Sequence, residues 1–358
     1  MENLGLVLDN FKNKRVFITG HTGFKGTWLC RILLLAGAKI RGFSLPLDET
    51  SIFYTSSIYR KESGVENVFG DIRDFSLLRK SFEEFKPEYV IHLAAQPLVR
   101  PSYEDPRYTY EVNVMGTVNL LDCLRESKTV RSALNVTTDK VYENKEWCWG
   151  YREYEPLDGF DPYSNSKSCS ELVTHSYTKS FVKFKTLPLS TARAGNVIGG
   201  GDFSRDRIIP DCYKALSNSE AINVRNQFSI RPYQHVLEPL FAYLLILYNQ
   251  KVNSSLAGAY NVGPNEDGCV TTGRLVQLFC DNWSPSSSWR ALALENQPHE
   301  ANFLKLDNSK IKEKIGWKPR WGIEEAVNKT VEWYKVWDKG SDETAIMDRQ
   351  IFEYIKGK

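Results

Sequence analysis

The segment RVFITGHTGFKG, residues 15–26, decides the fold of this chain. Its first five residues form a short, mostly apolar run that predicts a buried parallel strand. Gly20, Gly23 and Gly26 follow at the spacing G-x-x-G-x-x-G, and a predicted helix comes next. Glycines with this spacing make the turn tight and let the backbone approach a pyrophosphate at the helix N-terminus. The segment therefore predicts a dinucleotide-binding strand–turn–helix unit.

Short apolar runs and amphipathic stretches alternate through the first half of the chain. The predicted strands are Arg15–Thr19, Lys39–Ser44, Val65–Phe69, Tyr89–Leu93, Ala133–Thr138 and Thr186–Ala192. The predicted helices are Gly26–Ala36, Ser76–Phe85, Tyr108–Leu124 and Tyr163–Ser180. Because strands that alternate with helices form βαβ units, the predicted fold class is α/β, a Rossmann-type doubly wound parallel sheet.

The sequence changes character after Ala194. Residues 196–207 are rich in glycine and polar side chains, which predicts a loop. A helix is predicted at Glu238–Asn249 and a short strand at Ala259–Val262. Helical periodicity returns over Leu306–Trp337, broken at Trp317–Trp321 by Pro319 and Gly322.

We expect the chain to divide into two parts. Residues 1–195 would form a dinucleotide-binding Rossmann domain, to which residues near 232–262 return. Residues 196–358 would form mainly a smaller C-terminal lobe that binds the substrate, without a clean linker between the two parts.

The composition argues against several classes of function. The 358 residues are 42% hydrophobic and 25% charged, with a net charge of +2, as in an ordinary globular protein. A nearly neutral chain gives no electrostatic support for a nucleic-acid or membrane partner, so we expect neither. The seven cysteines are scattered without a C-x-x-C pair, which indicates a reducing cytoplasm. The longest apolar stretch, Leu240–Tyr248, falls far short of the roughly 20 residues that span a bilayer, and no signal peptide is expected.

The choice of cofactor depends on the residues after the second and third predicted strands. An acid at the end of the second strand usually meets the 2′-hydroxyl of NAD, but here Arg41 lies in that strand and the next acid is Asp48. We expect NAD, while Arg41 keeps open a preference for the 2′-phosphate of NADP. Asp71 follows the third strand, where it could hydrogen-bond the adenine amino group or cap a turn or helix.

Two segments carry the predicted catalytic groups. Tyr163 and Lys167 stand at i and i+4 on a predicted helix, and therefore on one face of it. A lysine ammonium beside a phenol favours the phenolate, which can accept a hydroxyl proton. About 25 residues earlier Thr138, Asp139 and Lys140 stand at the end of a predicted strand, where open α/β sheets bind ligands.

Six motifs, in order along nearly the whole chain, resemble the extended short-chain dehydrogenases/reductases: TGHTGFKG, GDIRD, HLAAQ, TTDKVY, YSNSK and NVIGGGD. More narrowly, TGHTGFKGTWL, TTDKVY, RPYQHVLEPL and PHEANFLKLD are similar to the CDP-glucose 4,6-dehydratases, a branch of that family. The resemblance implies an NAD-dependent lyase that converts CDP-glucose to CDP-4-dehydro-6-deoxyglucose. It also implies a role in making the 3,6-dideoxyhexoses of lipopolysaccharide O-antigen.

The resemblance also implies residue roles in a closed redox loop. A hydride leaves C4 of the hexose, water is eliminated across C5–C6, and the hydride returns to C6. Thr138 would orient the C4 oxygen, Asp139 would protonate the leaving hydroxyl, and Tyr163 would deprotonate the C4 hydroxyl. Lys167 would hold the nicotinamide ribose and tune Tyr163. Lys140 stands where many related dehydratases have glutamate, so it could be the base for C5 or a cation that stabilises the enolate.

The expected binding residues complete this hypothesis. Those expected to contact the cofactor are Gly20, Gly23, Phe24, Gly26, Asp71, Ile72, Leu93, Ala94, Ala95, Asn113, Thr137, Tyr163 and Lys167. Those expected to contact a nucleotide-diphosphate hexose are Gln96, Asn196, Arg207, Arg225, Arg231 and His299. Arginine suits a diphosphate because its planar fork binds two oxygens at once. The histidines show no metal-ligand spacing, so no metal is expected.

Two other functions share parts of this pattern. A sugar-nucleotide 4-epimerase has the same fold, cofactor and Tyr–Lys pair. The charges of Asp139 and Lys140 would, however, be unfavourable in the site of such an enzyme. A non-catalytic redox sensor would have no use for Tyr163, Lys167 and Asp139 together. Members of the family are commonly dimers or tetramers, so the resemblance implies a homo-oligomer, formed through helices such as Tyr108–Leu124 and Tyr163–Ser180.

Overall fold

Seven parallel strands form the central sheet of the molecule. The structure, a computed structural model, describes residues 4–47, 64–292 and 303–357. In chain order the strands are β1 (Arg15–Thr19), β2 (Lys39–Ser44), β3 (Val65–Phe69), β4 (Tyr89–His92), β5 (Ser132–Thr138), β6 (Leu189–Ala194), β7 (Val197–Ile198), β8 (Ile222–Val224), β9 (Ile230–Pro232), β10 (Gln234–His235), β11 (Ala259–Val262), β12 (Cys269–Thr271) and β13 (Trp289–Ala291). The order in the sheet is β3-β2-β1-β4-β5-β6-β11, which confirms the predicted Rossmann-type class.

Helices cover the sheet and form most of the second half. They are α1 (Leu4–Asp9), α2 (Phe24–Leu35), α3 (Phe75–Phe85), α4 (Val99–Glu104), α5 (Pro106–Tyr110), α6 (Gly116–Glu126), α7 (Pro162–Ser180), α8 (Ile208–Ser217), α9 (Leu237–Val252), α10 (Thr272–Trp283), α11 (Ser309–Lys314), α12 (Ile323–Asp338) and α13 (Glu343–Lys356). A π-helical turn over Glu111–Met115 joins α5 to α6 without a break in helical backbone conformation, so a helix does cover the predicted range Tyr108–Leu124, with a π-helical turn inside it. No helix among the described residues is long and apolar enough to cross a membrane.

The predicted strands agree closely with the observed ones, except near β6. This strand covers Leu189–Ala194, whereas the sequence predicts Thr186–Ala192. Two features delay its start: a 3₁₀ turn over Val182–Lys185 precedes it, and Pro188 has no N–H to donate to a ladder.

Helix α9 shows how the second half of the chain returns to the sheet. Its residues from Leu237 to Leu247 are all buried, and it packs against β5, β6, α1 and α2. A helix that is apolar all round is stable only in such an interior position. Strand β11 follows α9 and pairs with β6 as the last strand of the sheet.

Three short strand pairs bring the second half over the carboxyl ends of the central strands. Strand β7 pairs with β10, β9 pairs antiparallel with β12, and β8 pairs with β13. Helices α8 and α10 pack beside them, and α10 packs on α12. The carboxyl ends of β5 and β6 therefore face residues from both halves of the chain.

Candidate active site

The glycine-rich turn between β1 and α2 leaves room for a ligand at one position only. A Cβ atom on Gly20 would lie 2.6 Å from the backbone nitrogen of Ala94, and one on Gly26 would lie 2.4 Å from the carbonyl oxygen of Gly20. On Gly23, which is exposed and caps α2, it would meet nothing closer than 3.5 Å. Tight contacts thus fix the turn, while its tip remains open at the N-terminus of α2. This arrangement fits the pyrophosphate of a dinucleotide.

The loop after β4 is held in place by hydrogen bonds within the chain. Thr19 Oγ1 lies 2.6 Å from His92 Nδ1 and accepts the backbone N–H groups of Leu93 and Ala94 at 3.2 and 3.3 Å. Asn113 binds both backbone groups of Gln96, at 2.8 and 3.0 Å. Leu93, Ala94 and Asn113 therefore lie together beside the glycine turn.

The Gln96 side chain is also engaged. Its Nε2 donates to Thr109 at 2.9 Å and its Oε1 accepts the N–H of Leu98 at 2.6 Å. The residue is buried and is not among those that line the cavity described below. These contacts of the Gln96 side chain hold the loop after β4 in its conformation.

The charged residues near the adenosine end are paired with each other. Arg41 binds Glu66 at 2.7 Å and lies 3.8 Å from Glu84. Asp71 binds Arg73 at 2.8 Å, and this contact lowers the pKa of its carboxyl group. Ile72 is buried against Gly116. Asp48 lies outside the described residues.

A cavity of about 790 Å³ opens at the carboxyl ends of β5 and β6. Nine of the predicted site residues line it: Thr137, Thr138, Asp139, Lys140, Tyr163, Asn196, Arg207, Arg225 and Arg231. The first five come from the β5 end and α7, and the last four from the second half. The structure thus brings the predicted catalytic and diphosphate-binding groups to one cavity.

Thr138 links the predicted acid to the predicted base. Its hydroxyl donates to Asp139 Oδ1 at 3.0 Å, and its side chain lies beside the Tyr163 phenol, on whose pKa it acts. Burial raises the pKa of Tyr163 to about 12, opposed by the neighbouring Thr138 side chain and the positive charge of Arg207. The three side chains form one connected group.

Asp139 has an unusual environment for a carboxyl group. It is only 2% exposed, and its Oδ2 atom has no hydrogen-bond partner among the described residues. Burial raises its pKa, against the charges of Lys140, Arg231 and Lys25. A buried carboxyl group with one free oxygen and a raised pKa is suited to donate a proton.

Lys167 lies one helical turn beyond Tyr163 and is buried behind the cavity. Its Nζ donates to the carbonyl oxygen of Val136 on β5 at 3.2 Å. Burial lowers its pKa to about 8, opposed by the charge of Glu171. Thr137, next to Val136, donates to the carboxylate of Glu171 at 2.5 Å.

Two of the predicted phosphate ligands have carboxylate partners. Arg207 binds Asp202 at 3.1 Å, and Arg225 binds Asp206 and Asp211 at 3.3 and 3.4 Å. Arg231, in β9, is buried and its charge faces Asp139. His299 lies outside the described residues. Within the described ranges no cluster of His, Cys, Asp and Glu could hold a metal ion.

The structure adds three residues that the sequence reasoning missed. Lys25 lines the cavity, and burial together with the charges of Arg207 and Lys167 lowers its pKa to about 7. Glu171 and Arg193 form a buried ion pair behind Lys167. Signals existed for two of them: Lys25 stands inside the glycine motif, and Glu171 follows Lys167 by four residues.

Solved structures share this fold. A dTDP-glucose 4,6-dehydratase from Bacillus anthracis in complex with NAD matches with a TM-score of 0.76 at 20% identity, covering 92% of this chain and 99% of that one. A UDP-glucose 4-epimerase from Thermus thermophilus in complex with NAD matches with a TM-score of 0.77 at 25% identity, covering 90% and 99%. Fold and site together define an extended short-chain dehydrogenase/reductase.

Within that class the chain belongs to the nucleotide-sugar 4,6-dehydratase family. The family model described as GDP-mannose 4,6 dehydratase matches residues 17–330. The chain is also 45% identical over 353 residues to the CDP-glucose 4,6-dehydratase of Salmonella typhimurium, covering 96% of this chain and 97% of that protein. These findings confirm the predicted family and enzyme class, a lyase that carries out NAD-dependent 4,6-dehydration of a nucleotide sugar.

Proposed function

We propose that this protein converts CDP-glucose to CDP-4-dehydro-6-deoxyglucose with NAD as cofactor. The observation that carries the proposal is the connected group Asp139–Thr138–Tyr163 in a cavity that also holds arginines from the second half. The 45% identity to the CDP-glucose enzyme of Salmonella typhimurium supports the choice of substrate. The product would serve the synthesis of dideoxyhexoses for O-antigen in the cytoplasm.

NAD fits this chain better than NADP. When bound, NAD would supply the hydride acceptor for C4 of the hexose and the hydride donor for C6. The open tip at Gly23 would hold the pyrophosphate, and Lys167 the nicotinamide ribose. Arg41 is bound to Glu66 and has Glu84 nearby, so its charge is already neutralised and does not favour a 2′-phosphate. We expect binding of NAD to be at least about tenfold tighter than that of NADP by calorimetry; equal affinities would contradict this.

Tyr163 and Thr138 act at C4 in the proposed mechanism. Thr138 orients the C4 oxygen, while Tyr163 removes its proton as the hydride leaves. The phenol needs help to lose its own proton because burial raises its pKa to about 12. The charge of Arg207 already opposes this rise, and a positive charge on Lys167, one helical turn away, would add to that help.

Asp139 and Lys140 act at C6 and C5. Loss of the C4 hydride leaves a ketone, which makes the C5 proton acidic. Asp139 protonates the C6 hydroxyl so that it leaves as water, using a carboxyl group that burial keeps protonated more readily. Lys140 lines the same cavity, beside Asp139. In our preferred version it takes the C5 proton, and C5 regains a proton when the hydride adds to C6.

Arginines from the second half bind the diphosphate. Arg231 is the best candidate because it is buried in the wall of the cavity. Arg207 and Arg225 lie at the same cavity with their carboxylate partners, so a phosphate would have to compete with these. We propose that Asn196, Arg207 and Arg225 complete the diphosphate site.

The decisive experiment measures product mass for four substrates. The purified protein is incubated with NAD and with CDP-, dTDP-, GDP- or UDP-glucose. Dehydration gives a product lighter by one water, and we expect it with CDP-glucose at the highest kcat/KM. An unchanged mass with formation of the C4 epimer would instead identify an epimerase. Loss of water from another nucleotide hexose in preference to CDP-glucose would overturn the choice of base.

We also propose a homo-oligomer, a dimer or tetramer built on the helices around α6 and α7. Met115, next to α6, and Leu172, on α7, are 51% and 52% exposed. Apolar side chains exposed on neighbouring helices are suited to helix–helix contact. Light scattering should give the mass of at least two chains, and a monomer at micromolar concentration would contradict the proposal.

A further inference from the structure

A buried ion pair lies behind the Tyr163–Lys167 face of α7. Glu171 follows Lys167 by one helical turn, so the three side chains project from the same face. Its Oε2 atom accepts from Arg193 of β6 at 2.9 Å, and the two side chains are only 3% and 4% exposed. Burial of two charges is unfavourable unless other contacts compensate. The position of this pair suggests a role in the site.

The Glu171 carboxylate joins the helix to two strands. Its Oε1 accepts from Thr137 of β5 at 2.5 Å, and its Oε2 accepts from Thr191 of β6 at 2.7 Å. Thr137 stands directly before Thr138 and Asp139, the end of β5 that carries the acid. The carboxylate therefore fixes that strand end against the helix that carries the base.

Glu171 is also the negative charge that acts on Lys167. Burial lowers the pKa of Lys167 to about 8, and the charge of Glu171 opposes this change. Two other titratable groups face Lys167. His92 on β4 is uncharged near neutral pH because burial lowers its pKa to about 3, and Lys25 on α2 carries a charge of the same sign as Lys167. Of these, only Glu171 favours the ammonium.

The groups around Arg193 hold the pair in place. Arg193 Nη1 donates to the Tyr142 hydroxyl at 2.9 Å and to the carbonyl oxygen of Glu153 at 3.1 Å. Burial raises the pKa of Tyr142, so its phenol stays neutral. The side chains of Glu153 and Lys310 also face Arg193, with opposite charges. Arg193 is thus held on several sides, with its guanidinium group in an ion pair with Glu171.

We propose that Glu171, held by Arg193, is a positioning residue for the dehydration reaction. It keeps the Lys167 ammonium charged beside Tyr163, and it fixes the strand end that carries Thr138 and Asp139. It does so without touching the substrate. The inference rests on the dehydratase function proposed above. It adds to that function a residue that lies behind the cavity.

The test is the pH profile of Glu171→Gln. Glutamine keeps the shape and an acceptor oxygen but removes the charge, so the pKa of Lys167 should fall and its help to Tyr163 weaken. The acidic limb of the kcat/KM profile should then move to higher pH by about one unit or more. KM for CDP-glucose should change less than about twofold, since Glu171 makes no substrate contact, and Glu171→Asp should restore most of the profile.

A matched control separates this effect from lost stability. Gln250 is buried at the other end of the same two strands, bonded to Ser190 at 2.5 Å and to Ser132 at 2.7 Å. Gln250→Leu should lower the melting temperature and leave the profile unmoved. If Glu171→Gln behaves as this control does, Glu171 is only structural and the proposal is wrong.

A second measurement does not depend on the reaction. Titration of the Lys167 Nζ by NMR should show a lower pKa in Glu171→Gln than in the natural chain, and an unchanged value would overturn the proposal. This result is distinct from a failure of the proposed function, in which the natural chain would dehydrate no nucleotide hexose. If the single variant does not fold, the double variant with Glu171→Gln and Arg193→Gln leaves neither charge of the pair unpaired. The Lys167 pKa is then measured in that double variant by the same titration.

Discussion

At the residue scale, Asp139 differs from an ordinary surface carboxylate in two respects that bear on catalysis. It is buried with one oxygen free of hydrogen bonds from the described residues, and burial raises its pKa. Three lysine and arginine charges oppose that change, so the group can also release its proton. A catalytic acid needs both properties, because it must donate a proton and recover it in each cycle.

Asp139→Asn should separate oxidation from elimination. Asparagine keeps the shape and can still accept from Thr138, but it cannot donate a proton as an acid. We expect C4 oxidation to continue and elimination to slow by roughly 10²-fold or more, so that reduced nicotinamide accumulates. Stopped-flow absorbance of the nicotinamide measures this directly. Product formation at the normal rate would remove Asp139 from the mechanism.

Lys140 can be assigned to one of its two roles by a pair of substitutions. Lys140→Met removes both charge and base, whereas Lys140→Arg keeps the charge but cannot accept a proton near neutral pH. If Lys140 is the base, both variants should lose exchange of the C5 proton with solvent, measured by NMR in deuterated water. Substantial exchange in the arginine variant would favour the electrostatic role instead.

At the scale of elements, sequence patterns predicted the features that are determined within one strand or one helix. The strands β1, β2 and β3 have the predicted bounds, because apolar runs bounded by turn residues specify them. The pairing of Tyr163 with Lys167 follows from helical periodicity alone. The partnership of Glu171 with Arg193 could not be predicted in this way, since it depends on which strand of the sheet passes beneath α7.

Helix α9 carries another buried carboxyl group whose partners, like that of Glu171, no local pattern predicted. Glu238 accepts the N–H groups of Arg320 and Trp321 at 2.9 and 2.7 Å and the Tyr354 hydroxyl at 2.7 Å. Tyr354 belongs to α13, so this carboxyl group joins α9 to the C-terminal helix. Burial raises its pKa from 4.5 to about 7.

The raised pKa of Glu238 predicts the direction in which the free energy of unfolding changes with pH. The unfolded chain releases the Glu238 proton near pH 4.5, while the folded chain releases it near pH 7. The protonated form is therefore the more stable one when folded, and its contribution is lost as pH rises between these values. The shift corresponds to about 3 kcal/mol.

Glu238→Gln should remove this dependence while keeping the side-chain shape. Buried neutral histidines such as His92 and His235 have the opposite pH dependence, so the natural chain alone does not isolate the effect. The useful quantity is the free energy of unfolding of the variant minus that of the natural chain. We expect this difference to increase by about 3 kcal/mol from pH 4.5 to 7 in urea titrations. A difference that stays constant would show that Glu238 keeps an ordinary pKa.

At the scale of the whole molecule, the site exists only because two distant parts of the sequence meet. The Thr138–Asp139–Lys140 segment and Tyr163 predicted the half of the cavity that β5 and α7 supply. The other half includes Arg207, Arg225 and Arg231, which were suggested by their being arginines. The carboxylate partners of Arg207 and Arg225 were not predictable. Lys25 was overlooked because the motif is usually read for its glycines.

A single cavity for all steps leads to the last prediction. Thr138, Asp139, Lys140 and Tyr163 line one cavity of about 790 Å³, so the sugar need not leave between oxidation at C4 and reduction at C6. CDP-glucose deuterated at C4 should therefore give a product with deuterium at C6, while C5 takes up hydrogen from solvent. Mass spectrometry and NMR of the product measure both positions. In a mixture of labelled and unlabelled substrate, deuterium should stay on the molecules that carried it, because the hydride is never free to exchange. Deuterium lost to water, or scrambled between molecules, would mean that the site opens during the cycle.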